Sequence, residues 1–90
     1  PSPMSQFVYV YVLRSQLDGQ FYVGFSTDLK QRLIAHNLGR VESTRRRVPL
    51  ELIYYEACRN QRDAMAREKY LKSAWGKRYL KGRLRNYLTG

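Results

Sequence analysis

This chain of 90 residues is poor in cysteine and histidine, and it contains no long apolar segment. Cys58 is the only cysteine, which excludes an intramolecular disulfide and a multi-thiolate zinc site. Because Cys58 follows the apolar run 52–55, we expect a small buried side chain rather than a nucleophile. His36 is the only histidine, which excludes a multi-histidine metal site and a two-histidine acid–base relay. No stretch approaches the ~18–20 apolar residues that span a bilayer, so we expect a cytoplasmic protein with no membrane partner.

Acidic side chains are also scarce. Seven Asp and Glu face 17 Lys and Arg, which gives a formal net charge of +10. So much positive charge on a small chain repels itself unless a polyanion relieves it, and nucleic acid is the leading partner class. A solvated basic surface and an anionic membrane are the alternatives. The membrane alternative is weakened because no basic segment has a wide, strongly apolar face.

The length fits a single domain over residues 1–90. An apolar fraction of 43% is ordinary for a globular protein and argues against disorder. Pro1-Ser2-Pro3 precede Met4, and we interpret them as a cloning remnant. A signal peptide is not predicted, since no apolar region follows.

Three segments rich in β-branched and aromatic residues predict strands at 7–13, 20–24 and 50–57. The first is apolar throughout, which suits a central strand covered on both faces. Asp18-Gly19 lies between the first two strands and predicts an antiparallel hairpin.

Helix signals follow the second and third strands. Ser26-Thr27-Asp28 offers N-caps for a first helix, and Gly39 ends it. A second helix is predicted from Asn60 to about Ala74, and a third over 77–88, with Gly76 as the interruption between them. The order predicts an α+β fold, in which helices flank a small three-stranded antiparallel sheet.

Two tyrosines on the predicted hairpin are candidate functional residues. Tyr11 and Tyr22 stand eleven positions apart, and both side chains can face one side of the sheet. The alternative is that they are ordinary strand aromatics, because tyrosine is common in strands.

Arg32 and His36 stand four residues apart, so they share one face of the first helix. A guanidinium and an imidazole can bind and activate a phosphodiester. A solvated basic face, or a structural histidine, is the alternative.

Glu68 interrupts an apolar stripe formed by Ala64, Leu71 and Trp75 on the second helix. A buried carboxylate is costly unless it is paired or binds a cation. The alternatives are therefore a metal ligand and an ion pair with one of the neighbouring cations Arg62, Arg67, Lys69 and Lys72.

Together these residues resemble the GIY-YIG nuclease superfamily. Tyr9-Val10-Tyr11 and Tyr22-Val23-Gly24 resemble its two short motifs, with Tyr9 where the family name has glycine. Arg32, His36 and Glu68 follow in the order of the family's helix arginine, frequent histidine and metal-binding glutamate. The stretch 71–79 resembles the tail of small stand-alone bacterial members.

The resemblance implies a Mg²⁺-dependent (or Mn²⁺-dependent) endonuclease that hydrolyses DNA, in repair or recombination. Glu68 would hold the metal, Arg32 the phosphate, and Tyr22 would act as general base or position the water. Tyr11 would hydrogen-bond the nucleophile or the phosphate, and His36 would orient Tyr22 or accept its proton.

The other basic side chains would track a nucleic-acid backbone, most readily DNA. With no appended recognition domain evident, we expect low sequence specificity. A catalytically inert nucleic-acid-binding module and a basic protein–protein adaptor are the alternative functions. The family often has an asparagine near the end of its fold, and Asn86 is the candidate for it here. The other nucleic-acid-binding candidates are Arg45, Arg46, Arg47, Lys72, Lys77 and Arg78, with Lys81, Arg83 and Arg85 beside them.

Overall fold

A computed structural model describes residues 7–90, so the interpretation of Pro1-Ser2-Pro3 lies outside the described residues. Its centre is a three-stranded antiparallel sheet made of β1 (Val8–Ser15), β2 (Phe21–Ser26) and β3 (Leu50–Cys58). The strand order is β2-β1-β3, with β1 antiparallel to both neighbours. The predicted sheet and its central first strand are confirmed, and each strand lies within two residues of its predicted bounds.

Helices cover both faces of the sheet, in keeping with the predicted α+β fold. They are α1 (Leu29–Asn37), α2 (Gln61–Lys72), α3 (Ala74–Arg83) and the short α4 (Arg85–Thr89). Strand β1 sends alternate side chains to opposite faces. Val8, Val10 and Val12 pack with residues of α2 and α3, whereas Tyr11 and Leu13 pack with residues of α1.

The caps of α1 follow the sequence prediction. The side chain of Asp28 accepts a hydrogen bond from the backbone N–H of Gln31 at 3.1 Å, and Gly39 follows the helix with a φ of 75°. A left-handed conformation of this kind favours glycine. Helix α1 is therefore fixed at both ends by local chemistry.

The break between α2 and α3 is not where the sequence placed it. The chain leaves the helix at Ser73, whose hydroxyl donates to the carbonyl of Tyr70 at 2.6 Å and accepts from the N–H of Gly76 at 3.2 Å. The prediction that Gly76 interrupts the helices is wrong, because Gly76 lies in the first turn of α3. A Cβ at Gly76 would overlap the backbone of Tyr70 and Leu71, so this glycine permits α3 to lie against α2.

The expectation that Trp75 belongs to a buried stripe of α2 is also wrong. Its side chain is 68% exposed, and the Arg78 guanidinium covers its ring at 5.2 Å from the centroid. Ala64, Leu71 and Trp75 would share one face only in a continuous helix. The break at Ser73 rotates Trp75 away from the fully buried Leu71. Cys58 packs against the main core with a free thiol, and no helix among residues 7–90 is long and apolar enough to cross a membrane.

Candidate active site

Tyr11 and Tyr22 lie on the same face of the sheet, as predicted. The register pairs Tyr11 with Gly24 and Leu13 with Tyr22, and the two tyrosine rings are 6.5 Å apart between centroids. A Cβ at Gly24 would lie 2.6 Å from Oη of Tyr11 and 3.2 Å from Cε2 of Tyr22. Gly24 therefore makes the room in which the two phenols approach each other.

Helix α1 brings Arg32 and His36 onto this pair. The Nε of Arg32 lies 3.3 Å from Oη of Tyr11, and Nε2 of His36 lies 2.9 Å from the same oxygen. His36 is 0% exposed, so a solvated basic face is the wrong interpretation of this residue. Three of the predicted site residues thus form one hydrogen-bonded cluster around the Tyr11 hydroxyl.

Thr44 completes the cluster and was not predicted from the sequence. Its Oγ1 lies 2.7 Å from Nδ1 of His36, and Thr44 is fully buried although it belongs to the basic loop between α1 and β3. The only available signal was that a buried histidine needs a partner for each ring nitrogen. Nothing in the sequence distinguishes Thr44 from the neighbouring Ser43 as that partner.

Burial sets the protonation of the cluster. It lowers the pKa of His36 to about 4, and the positive charge of Arg32 acts in the same direction. At neutral pH the imidazole is therefore uncharged. Since Arg32 donates to Tyr11, we assign the Tyr11 hydroxyl as the donor to Nε2, and Nδ1–H as the donor to Thr44.

Burial also raises the pKa of Tyr11, and the hydrogen bond from Arg32 only partly opposes this effect. Tyr11 therefore keeps its proton at neutral pH. The hydrogen bond with Tyr11 raises the pKa of Arg32, which remains a cation. With Tyr11 only 1% exposed and bonded to both neighbours, its hydroxyl is placed to hold Arg32 rather than to meet a solvent water.

Tyr22 is the more accessible of the two tyrosines and lies at the rim of the cluster. Its ring packs edge-to-face against His36, with centroids 5.1 Å apart and an interplanar angle of 64°. The expectation was that His36 would orient Tyr22 or accept its proton, but Nε2 is bonded to Tyr11 instead. His36 can therefore orient Tyr22 through ring packing.

Glu68 lies on α2, on the other side of the sheet from α1. Its negative charge adds slightly to the rise in the pKa of Tyr11, which comes mainly from burial. Its Oε2 lies 3.2 Å from Nζ of Lys72, with the Glu68 side chain 20% exposed and the Lys72 side chain 53% exposed. The ion-pair alternative is thus realised in the structure, through Lys72.

The donor set around Glu68 is compatible with Mg²⁺. Residues 7–90 contain no group of three or more His, Cys, Asp or Glu that could hold a metal ion, so a metal at Glu68 would have at most one further protein ligand of these types. Mg²⁺ commonly uses one or two carboxylates and keeps several waters. The Lys72 side chain is 53% exposed, and its long stem would allow the ammonium to leave the carboxylate when a cation binds.

The predicted nucleic-acid-binding residues differ in their surroundings. Arg45 and Arg46 are exposed in the basic loop, whereas Arg47 turns back to Asp18 of the hairpin, at 3.5 Å between Nε and Oδ2. Lys72 and Lys77 line a cleft beside Tyr22. Arg78 covers the ring of Trp75 on α3, and Asn86 is exposed on α4.

Comparison with known protein families identifies this arrangement. The family model described as the GIY-YIG catalytic domain matches residues 7–84, a range that contains both tyrosines, Arg32, His36 and Glu68. The chain belongs to the GIY-YIG family. The bacterial relatives below support its membership of this nuclease family.

Curated relatives of this GIY-YIG chain carry the name UPF0213 protein. One from Streptococcus pneumoniae serotype 4 is 40% identical over 70 residues, which is 77% of this chain and 70% of the relative. One from Streptococcus agalactiae serotype V is 43% identical over 65 residues, 71% of this chain and 73% of the relative. One from Clostridium perfringens is 42% identical over 65 residues, 71% of this chain and 69% of the relative. No solved structure gives a significant match.

Proposed function

We propose that this GIY-YIG protein is a Mg²⁺-dependent endonuclease, able also to use Mn²⁺, that hydrolyses phosphodiester bonds in DNA. The observation that carries the proposal is the buried cluster in which Arg32 and His36 both bond the Tyr11 hydroxyl beside Tyr22. Such a cluster, inside the matched catalytic domain, supports phosphate chemistry better than a packing role. The net charge of +10 supports a polyanionic substrate.

Arg32 is the phosphate-binding group in this proposal. Its Nε donates a hydrogen bond to the Tyr11 hydroxyl at 3.3 Å. This contact holds the guanidinium plane and leaves the two terminal nitrogens for phosphate oxygens. A planar guanidinium suits this contact better than an ammonium, because it can donate two parallel hydrogen bonds. It would stabilise the charge that develops on the phosphate in the transition state.

Tyr22 is proposed to orient the attacking water and to take its proton. The Arg32 guanidinium, held by the Tyr11 hydroxyl, would stabilise the negative charge that develops on the attacking oxygen, and a metal cation would add to this effect. Tyr11 and His36 act indirectly, since Tyr11 holds Arg32 and His36 packs against the Tyr22 ring.

Glu68 is the residue that would hold the metal ion. A bound Mg²⁺ would supply Lewis acidity at the phosphate and the leaving oxygen. Until the ion binds, Lys72 neutralises the carboxylate.

Low sequence specificity and a role in cytoplasmic DNA repair or recombination belong to the same proposal. Among the described residues, the exposed cations suit contacts with phosphates, which carry no sequence information.

The direct test is a cleavage assay with Mg²⁺, Mn²⁺ or EDTA on duplex, branched and single-stranded DNA and on RNA. We expect metal-dependent cleavage of DNA that falls by about 10²-fold or more in Glu68→Gln, Arg32→Ala and Tyr22→Phe, since each removes a group acting on the transition state. The matched controls are Glu42→Gln, Arg62→Ala and Tyr55→Phe, which change exposed residues of the same types and should retain full activity.

Two results would contradict the proposal. If Glu68→Gln cleaves as well as the wild type, the activity does not use this site. If no substrate is cleaved while every variant still binds DNA, the chain is the inert nucleic-acid-binding module instead. A basic protein–protein adaptor would neither cleave nor bind.

A further inference from the structure

A continuous shallow trough runs from Tyr22 along the edge of β2 to the C-terminal helix. Its first part is a cleft of about 160 Å³ between β2 and α3, lined by Tyr22, Lys72 and Lys77 among others. Two further clefts continue it past Gly19 and end at Arg85 and Leu88. Phe21 lines all three clefts, so they form one path.

One wall of this trough carries a row of cations. Lys77, Lys81 and Arg85 stand four residues apart along α3 and α4, and each lines the trough. Lys77 and Lys81 stand one turn apart on α3, a rise of ~6 Å, and Arg85 continues the row as the first residue of α4. None of the described residues that line the three clefts is acidic.

The opposite wall carries no cation along the first two clefts, and Arg14 of β1 is its one cation in the last cleft. The rest of this wall is formed by the hairpin from Gly19 to Val23, and residues 19–25 contain neither lysine nor arginine. A duplex offers two phosphate rows separated by grooves ~6 and ~12 Å wide, and a trough with one cationic wall matches only one such row. Phe21 on the floor offers an aromatic ring on which an unpaired base can stack.

Two candidate catalytic residues, Tyr22 and Glu68, mark one end of the trough. Tyr22 belongs to the first cleft, and Lys72, which lines the same cleft, lies 3.2 Å from Glu68. We propose that the trough holds a single unpaired strand leaving the active site, so that the preferred substrate is a nucleic acid with a single-stranded tail next to the cleaved bond. The role of this strand as a nuclease substrate rests on the proposed function. Binding of the strand in the trough does not.

The test measures binding without catalysis. Fluorescence anisotropy in EDTA compares a labelled blunt duplex, the same duplex with a single-stranded tail, and the single strand alone. We expect the tailed duplex to bind more tightly than the blunt duplex. The triple variant Lys77→Ala, Lys81→Ala, Arg85→Ala should lose at least about tenfold in affinity for the tailed duplex, and its log–log salt slope on the single strand should fall by about 2, at about 0.7 per lost phosphate contact.

The matched control is the triple variant Arg40→Ala, Arg62→Ala, Lys69→Ala. These three side chains are exposed and lie outside the trough, and the variant loses the same three charges. It should bind the tailed duplex within about twofold of the wild type. Phe21→Leu, which keeps an apolar side chain but removes the ring, should weaken the tailed duplex and leave the blunt duplex unchanged.

Equal losses in the two triple variants would overturn the proposal, because the attraction would then come from net charge alone. A blunt duplex that binds as tightly as the tailed one would overturn it as well. These outcomes are separable from failure of the proposed function. Absence of Glu68-dependent cleavage leaves the strand-binding result standing, and a trough variant that binds like the control leaves the nuclease proposal standing.

Discussion

His36 shows how burial gives a single side chain its chemical state. The imidazole is fully buried and has a hydrogen-bond partner for each ring nitrogen, Tyr11 on one side and Thr44 on the other. Removing a charged imidazole from water is costly, so the neutral form is the one that the folded protein holds. The stability of the cluster around Tyr11 should therefore decrease as the pH falls.

The pH dependence of folding should report this state. His36 has a pKa of about 4 in the folded chain against 6.5 for the free side chain, so the unfolded chain binds a proton first as the pH falls. The neutral imidazole costs no stability above pH 6.5, and the free energy of unfolding should fall by up to about 3 kcal/mol between pH 6.5 and 4. Urea denaturation at pH 7.5, 5.5 and 4.5 measures this loss.

His36→Gln serves as the comparison, because glutamine does not titrate. Other groups lose stability equally in both proteins, so the gap between the two stability curves should narrow as the pH falls. Curves that stay parallel would show that His36 does not have a depressed pKa.

Gly24 is the second residue whose role is geometric. Gly24→Ala places a Cβ 2.6 Å from the Tyr11 hydroxyl oxygen, which forces the ring to move. We expect a destabilisation of about 1–3 kcal/mol and a loss of nuclease activity larger than unfolding explains, because Tyr11 holds Arg32. Denaturation and cleavage measured on the same preparation separate the two effects; normal activity at reduced stability would contradict the role assigned to Tyr11.

At the scale of elements, the position of α2 matters because this helix carries Glu68. Arg67, the preceding residue, binds Glu56 of β3 with Nη2 2.8 Å and Nε 2.9 Å from the two carboxylate oxygens. This pair lowers the pKa of Glu56. The bidentate contact ties α2 to the sheet and limits rotation of the helix about its axis.

Helix α3 offers a matched pair of glycines for a test of close packing. Gly76→Ala would overlap the backbone of Tyr70 and Leu71, whereas a Cβ at Gly82 meets no atom within 4 Å. We expect Gly76→Ala to destabilise by about 3 kcal/mol or more and Gly82→Ala to stabilise by about 0.5–1 kcal/mol through helix propensity. Thermal and urea unfolding of both variants measures the contrast, and equal effects would show that α3 does not lie tightly against α2.

At the scale of the whole molecule, a net charge of +10 on 90 residues opposes folding through self-repulsion. Among the described residues only three acids form ion pairs within 4 Å, namely Asp18, Glu56 and Glu68. Most lysines and arginines among the described residues therefore have no acidic partner to offset their mutual repulsion. Salt or a polyanion should relieve this repulsion.

We expect the melting temperature to rise as NaCl increases from 50 to 500 mM, by roughly 4–8 °C per kcal/mol of repulsion relieved. The variant Arg62→Glu, Lys69→Glu lowers the net charge by four and should show a smaller rise. An equal rise in both proteins would indicate a general salt effect instead of charge repulsion.

Much of this protein follows from local patterns in its sequence. The apolar strands, Asp18-Gly19 and the Asp28 and Gly39 caps predict the sheet and α1, because each acts over a few residues. Alternation places Tyr11 and Tyr22 on one face for the same reason. The charge of +10 likewise needs no structure to indicate a polyanionic partner.

Tertiary contacts decided the rest. The helix break fell at Ser73, because Gly76 allows α3 to lie against α2, and this exposed Trp75. A buried histidine needs a hydrogen-bond partner for each ring nitrogen, and the fold decides which groups lie close enough. These groups are Thr44 and Tyr11, rather than Tyr22. Such partners lie far apart in sequence, so no local pattern can select them.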